Sequence, residues 1–341
     1  MKKQVIVFVL TVACIHVISC SKKEISADDW AKRAGAKYDL KDYQGAVADY
    51  TKAIELNPDR PGAYLLRGNT KLHLEDYQGA IVDFNKAIEL DPNWAEAYYN
   101  RGFAESHLKD YPGAVADLTV AIELNPHHEG AYESRGDAKA EIEDFQGAIV
   151  DFTKVIELKP GFADAYLKRG SSKLSLEDYQ GAIADLSKAV ELEPDLAGAY
   201  HNRGCAKAQL KDPQGAIADY TKAIALKPDF ADAYRNRGLA KYHLKDYQGA
   251  IADYTKAITL KPDFAPTYYN RGIAKSFLKD YQGAIADYSN AISLKPDNSD
   301  AYGNRGGVYL ALNQKEKAMA DFIKAIELGG RIPQETLDAC K

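Results

Sequence analysis

Cysteine is scarce in this 341-residue chain: four residues, at Cys14, Cys20, Cys205 and Cys340. The first two fall in an N-terminal apolar segment. The last two lie in distant stretches and show no metal-ligand spacing, so neither a disulfide nor a zinc module is expected. Basic character is lacking as well. Lys and Arg number 44 against 49 Asp and Glu, a net charge of −5, and no basic stripe is present, which argues against a nucleic-acid partner. No strand pattern occurs, so no Gly-rich phosphate loop follows a strand. His is present seven times. His16 lies in the N-terminal segment, His127 and His128 form a turn pair, and His73 and His107 are near enough in register to approach each other. None belongs to a ligand cluster of usable spacing, and no Ser or Cys nucleophile has an implied His partner. The expectation is no enzyme, no cofactor and no metal. Linkers, low-complexity tracts and charge blocks are also missing between residues 27 and 332.

What fills that stretch is one unit written nine times. Residues 231–264 read ADAYRNRGLAKYHLKDYQGAIADYTKAITLKPDF, and the same pattern recurs every 34 residues without insertion. A fixed period of this length indicates a solenoid. Each unit holds two amphipathic helices, A and B. In 231–264, helix A carries Tyr234, Gly238 and Tyr242 on one stripe, and helix B carries Ala250, Tyr254, Ala257 and Ile258. Asp246 is expected to cap helix B, Pro262 to end it, and Asp263 to cap the next helix A. The 23 Tyr are mostly explained by core positions of the repeat.

These residues resemble the tetratricopeptide repeat. An aromatic stands at unit position 4 (Trp30, Tyr64, Tyr98, Tyr132, Tyr166, Tyr200, Tyr234, Tyr268, Tyr302), and Ala stands at position 20 throughout. Position 27 is Ala except Val155, and position 32 is Pro except Gly330. Departures are Ala34 in unit one, Pro213 at an otherwise aromatic position 17, and Gln314, Lys315 and Lys317 in unit nine. The resemblance implies an all-α fold, a right-handed α-solenoid of nine units at 27–60, 61–94, 95–128, 129–162, 163–196, 197–230, 231–264, 265–298 and 299–332. Residues 333–341 are expected to form a capping helix, with Cys340 in a small-residue slot.

Ahead of the repeats, MKKQVIVFVLTVACIHVISC has two lysines and an apolar run too short for a comfortable membrane span. Its end, Val17-Ile18-Ser19-Cys20, resembles the lipobox of bacterial lipoproteins. That implies removal of residues 1–19, lipid attachment at Cys20, a tether over 20–26, and a place in the cell envelope facing the periplasm or exterior, with the outer membrane favoured. An ordinary cleaved signal, giving a secreted or periplasmic protein, and an uncleaved anchor are the alternatives.

Two columns are invariant: Arg at position 7 (Arg33 to Arg305) and Asp at position 23 (Asp49 to Asp321). A residue present in every unit serves the unit, so a ladder of Arg–Asp pairs between helices is expected; an anion-binding stripe is the alternative. Lys at position 11, present in seven units, reads as a stem lying over the inter-helix groove.

Function is expected where units differ. In the resembling family, helix A lines a concave face through positions 2, 5, 6, 9, 12 and 13. Carried over, that face offers Leu65, Leu66, Asn69 and Leu72 in unit two, and Tyr99, Asn100, Phe103 and His107 in unit three. Asn202 lies in unit six; Arg235, Asn236, Leu239, Tyr242 and His243 in unit seven; Tyr269, Asn270, Ile273 and Phe277 in unit eight. Apolar residues at exposed positions point to a partner, and Asn at position 6 suits a peptide backbone. The Lys-Asn pattern of chaperone-binding members is absent. The expected role is a scaffold for a protein or peptide. The alternatives are an envelope protein acting through array-to-array contacts and a carbohydrate binder using Tyr99, Tyr242 and Tyr269.

Overall fold

The computed structural model describes residues 25–340. The expected signal segment, Cys20 and the first part of the expected tether lie outside the described residues. Contacts divide the chain into two compact units, one ending at Leu108 and one starting at Lys109.

The first unit holds α1 (Ala27–Asp39), α2 (Tyr43–Leu56), α3 (Pro61–His73), α4 (Tyr77–Leu90) and α5 (Ala95–His107). The second holds α6 (Tyr111–Leu124), α7 (Glu129–Glu141), α8 (Phe145–Leu158), α9 (Ala163–Ser175), α10 (Tyr179–Leu192), α11 (Ala197–Gln209) and α12 (Pro213–Leu226). It continues with α13 (Ala231–His243), α14 (Tyr247–Leu260), α15 (Ala265–Phe277), α16 (Tyr281–Leu294), α17 (Ser299–Ala311), α18 (Lys315–Glu327) and the short α19 (Gln334–Asp338). The described residues contain helices and no strands. Within each unit, consecutive helices pack as hairpins, the architecture of an α-solenoid. Within each unit A helices also touch the next A helix along the row, α3 with α5 in the first and α7, α9, α11, α13, α15 and α17 in succession in the second; among the described residues B helices make no comparable contact.

The turn between A and B is set by two residues. In repeat seven, Lys245 takes a left-handed conformation, φ +64°. The N–H of Asp246 then reaches back to the carbonyl of Lys241 (3.0 Å) and that of Lys245 to Tyr242 (2.8 Å), a Schellman closure. Asp246 next caps α14, its Oδ1 accepting from the N–H of Gly249 at 2.9 Å. A Cβ on Gly249 would sit 2.1 Å from that carboxylate, so any larger residue there requires the Asp246 side chain to turn from this position. Asp263 does not cap α15. Phe264 occupies the N-cap position without a side-chain bond, because Asp263 stands one residue too early to reach the free amides of the first turn.

Small residues allow the helices of a hairpin to approach. A Cβ on Gly238 would meet the Tyr254 ring at 2.9 Å. Ala250, Tyr254 and Ala257 are buried there. Cys340 packs on Ala318 and Phe322 behind α19.

The Arg–Asp ladder is present. Arg67 donates through Nε and Nη2 to both oxygens of Asp83, at 3.0 and 2.6 Å, and Arg237 does the same to Asp253 at 2.9 and 2.7 Å. The Lys column is corrected by the structure. Lys71 Nζ lies 2.8 Å from Asp83 and Lys241 Nζ 2.8 Å from Asp253, so the amine ends on the same carboxylate instead of lying along the groove. The buried Asp has four lone-pair sites and one Arg fills only part of them. Arg Nη1 also reaches the preceding repeat: Arg67 to Thr51 at 3.0 Å, Arg237 to Thr221 at 3.1 Å. One guanidinium therefore ties its own hairpin and staples it to the previous one.

Candidate functional site

Because A helices stand side by side, positions 5, 6, 9, 12 and 13 of neighbouring repeats form a continuous surface within each unit. In the first unit Leu65 is buried in the core beside Ala97, so it offers nothing to a partner; position 5 here turns towards the neighbouring hairpin. Leu66 is 44% exposed. Asn100 donates to Asn69 at 2.7 Å. His73 and His107 do not pair with each other. His73 stacks on Tyr43 (4.8 Å between ring centroids) and His107 on Tyr77 (4.6 Å), each against the tyrosine at position 17 of the preceding repeat. Phe103 lies against His107 at 4.3 Å, and Tyr99 is half-buried.

In the second unit the position-6 asparagines spend their amide groups sideways. Asn202 donates to Ser171 at 2.9 Å, Asn304 to Tyr269 at 2.8 Å, and Asn236 Nδ2 lies 3.0 Å from His201 Nε2. Asn270 makes no such bond among the described residues. Arg235 holds Asp232 and covers the Phe264 ring. Tyr242, Tyr247 and Phe277 form an aromatic cluster, Tyr247 stacking on Phe277 at 4.8 Å, and Phe277 remains 56% exposed. Ile273 and Phe277 line a cavity of about 330 Å3 beside the glycines Gly303 and Gly307.

Two features escaped the sequence reading. The first is a charged cluster on α7 and α9. Lys168 Nζ contacts Glu133 (2.7 Å), Asp137 (2.9 Å) and Asp164 (3.1 Å). Burial works to lower this ammonium, but the carboxylates outweigh it and the group is raised.

The second is a thiol with partners. Cys205 Sγ lies 3.8 Å from His201 Nε2, and it accepts from Tyr220 Oη and Asn236 Nδ2, both at 3.5 Å. Burial opposes the thiolate, but His201, Tyr220 and Asn236 outweigh it, so the thiol sits below its ordinary range. Burial likewise opposes the His201 imidazolium, and Cys205 outweighs it, raising the ring. A histidine partner for Cys205 therefore exists, one helical turn away on α11. The spacing of four residues was the available signal. Beside this group opens a cavity of about 530 Å3, lined among others by Cys205, Ala208, Pro213, Asn236, Leu239 and His243. No group of three or more His, Cys, Asp or Glu among the described residues is placed to hold a metal ion.

Comparison with known proteins agrees with this architecture. Profiles described as "Tetratricopeptide repeat" match residues 95–128, 163–196, 231–264, 265–298 and 299–328, and one described as "TPR repeat" matches 35–74, 68–105 and 206–245. No curated protein is matched. Among solved structures, the Cut9 assembly with Hcn1 superposes with a TM-score of 0.55 at 19% identity, covering 85% of this chain and 57% of that one. A tetratricopeptide repeat protein from Parabacteroides merdae gives 0.54 at 19% identity over 72% and 98%. YrrB, described as having an unusual peptide-binding site, gives 0.50 at 24% identity over 54% and 95%. With profile matches running over more than half of its length and hairpins of the same architecture, the chain belongs to the tetratricopeptide repeat family.

Proposed function

We propose that this chain is a non-catalytic scaffold that holds a protein or peptide against its A-helix face and is tethered to a bacterial membrane by lipid at Cys20. The observation that carries the binding role is the 530 Å3 cavity between α11, α12 and α13, flanked by Asn236 and Leu239 of the predicted groove. A concave, mainly apolar site with a few polar groups is the usual form of a binding pocket. Exposed Leu66 and Phe277 add apolar surface on the same helix faces of their respective units. Family membership supports a protein or peptide as the partner, and YrrB supplies a peptide-binding precedent in its description. The Cys205–His201 pair does not argue for catalysis. Both residues lie inside α11, where backbone amides are engaged in the helix and supply no oxyanion hole. The lipid tether is supported by the apolar run ending at Cys20.

Photo-crosslinking in the native cell tests the groove. A probe at Leu66 or Phe277 is expected to capture one and the same protein, while a probe at Val82, 59% exposed on the B helix α4, captures none of it. Capture that is equal at all three sites, or dominated by a second copy of this chain, defeats the groove and favours array-to-array assembly.

A further inference from the structure

The repeats themselves specify what the cavity beside Cys205 accepts. Position 17 is aromatic in seven of the nine repeats, the exceptions being Pro213 and Lys315. In three of these seven repeats position 13 of the next repeat is also aromatic, and the ring stacks on it. Tyr43 stacks on His73 of the next repeat with planes 6° apart, Tyr77 on His107 at 23°, and Tyr247 on Phe277 at 8°. The other wall is position 12 of the same repeat: Tyr38 lies 5.5 Å from Tyr43, and Tyr242 lies 5.6 Å from Tyr247. Repeat six alone combines two losses, Pro213 at position 17 and Ala208 at position 12. Both residues line the cavity, and so does His243, the position-13 residue on which a ring would stack.

We propose that this berth takes an aromatic side chain, tyrosine or phenylalanine, from the bound polypeptide, so that the partner supplies the ring that repeat six lacks. The inference rests on the groove reading for the source of the ring. Three physical points support it. The volume, about 530 Å3, exceeds the roughly 150 Å3 that holds a benzene-sized ligand, leaving room for a ring and part of its backbone. The wall opposite Pro213 is an imidazole, which offers the stacking face that His73 and His107 offer to Tyr43 and Tyr77. The floor is already satisfied, since Tyr220 and Asn236 both donate to Cys205 Sγ, so an entering ring leaves no buried donor stranded. The flanking repeats keep their own rings, Tyr179 and Tyr247, so the berth marks a single register along the array.

Cys205 lines the cavity and reports its occupancy. In the full chain, the rate of Cys205 alkylation by iodoacetamide is followed by mass spectrometry of its peptide, with N-acetyltyrosinamide as probe and N-acetylalaninamide as control. The tyrosine analogue is expected to slow the reaction at least fivefold at saturation, with half-effect on the order of 1 mM for one small side chain, and the alanine analogue to leave it unchanged. Pro213→Tyr restores the residue used by the other repeats. It is expected to slow alkylation about fivefold without any probe, to remove the effect of the probe, and to raise the thermal midpoint by filling the cavity. Absence of saturable protection overturns the proposal, as does a folded Pro213→Tyr variant that alkylates at the original rate and remains protected by the probe. Because the measurement uses only the purified chain and a fragment, its failure leaves a groove-specific cellular crosslink standing, and loss of that crosslink leaves the fragment result standing.

Discussion

Asp49 shows what one side chain does in this fold. It is buried between α1 and α2, receives Nε and Nη2 of Arg33 at 2.6 Å each and lies 2.8 Å from Lys37. The Arg33 hydrogen bonds hold its carboxyl down to about 2. A depressed carboxylate contributes stability that is present above its unfolded value and is lost as pH falls through the folded one. Arg33 also stacks over Trp30 at 3.9 Å, so the tryptophan reads the pair directly. With Trp94→Phe leaving Trp30 as the single tryptophan, its emission is expected to shift between about pH 4 and about pH 2, and Asp49→Asn to abolish that transition. An unchanged transition in Asp49→Asn would show that another group drives it. The ladder was legible in the sequence because it recurs in every unit. The third bond of seven of its Arg, to Thr or Ser of the preceding repeat, was not. It depends on how far one hairpin is rotated on the next.

The hairpin is built on a turn that keeps an unfavourable conformation. Nine residues, from Lys41 to Asn313, take positive φ at position 15, and eight of them are Lys or Glu. A left-handed residue with a long side chain costs about 1 kcal/mol or more, less for Asn. Asn313 is the one repeat that uses it. Lys245→Asn is therefore expected to raise stability by up to about 1 kcal/mol, read as a higher urea midpoint at unchanged slope. Asp246→Ala removes the cap on Gly249 and is expected to cost about 1 kcal/mol in the same assay. A lower midpoint for Lys245→Asn would mean that the lysine makes a contact worth more than the strain. At this scale the cap of α14 was readable from Asp246 at the start of the second amphipathic stripe. The uncapped start of α15 was not, since Asp263 differs from a working cap only by one residue of register.

At the scale of each compact unit, repeats lean on their neighbours, so stability is spread along the row and a local cavity can persist without unfolding it. No helix among the described residues is long and apolar enough to cross a membrane. The membrane attachment we propose is chemical, through Cys20. Cys20→Ser is expected to move the chain from the membrane pellet to the soluble fraction of fractionated cells; retention in the pellet would favour an uncleaved anchor and remove the lipid from the proposal. Two or more acyl chains hold firmly where one does not, which is why the shift should be nearly complete.

The 34-residue period, the small residues at contact positions and the Arg and Asp columns determined the helical hairpins and their array, because each is a local pattern written nine times. Tertiary structure decided which predicted groove residues face outward. Leu65 went to the core, and four of the five position-6 asparagines were spent on side chains within the array, since these outcomes depend on the angle between adjacent hairpins. It also decided the berth beside Cys205. Pro213 was visible in the sequence as a departure, but Ala208 and His243 became part of the same void only when α11, α12 and α13 came together around it.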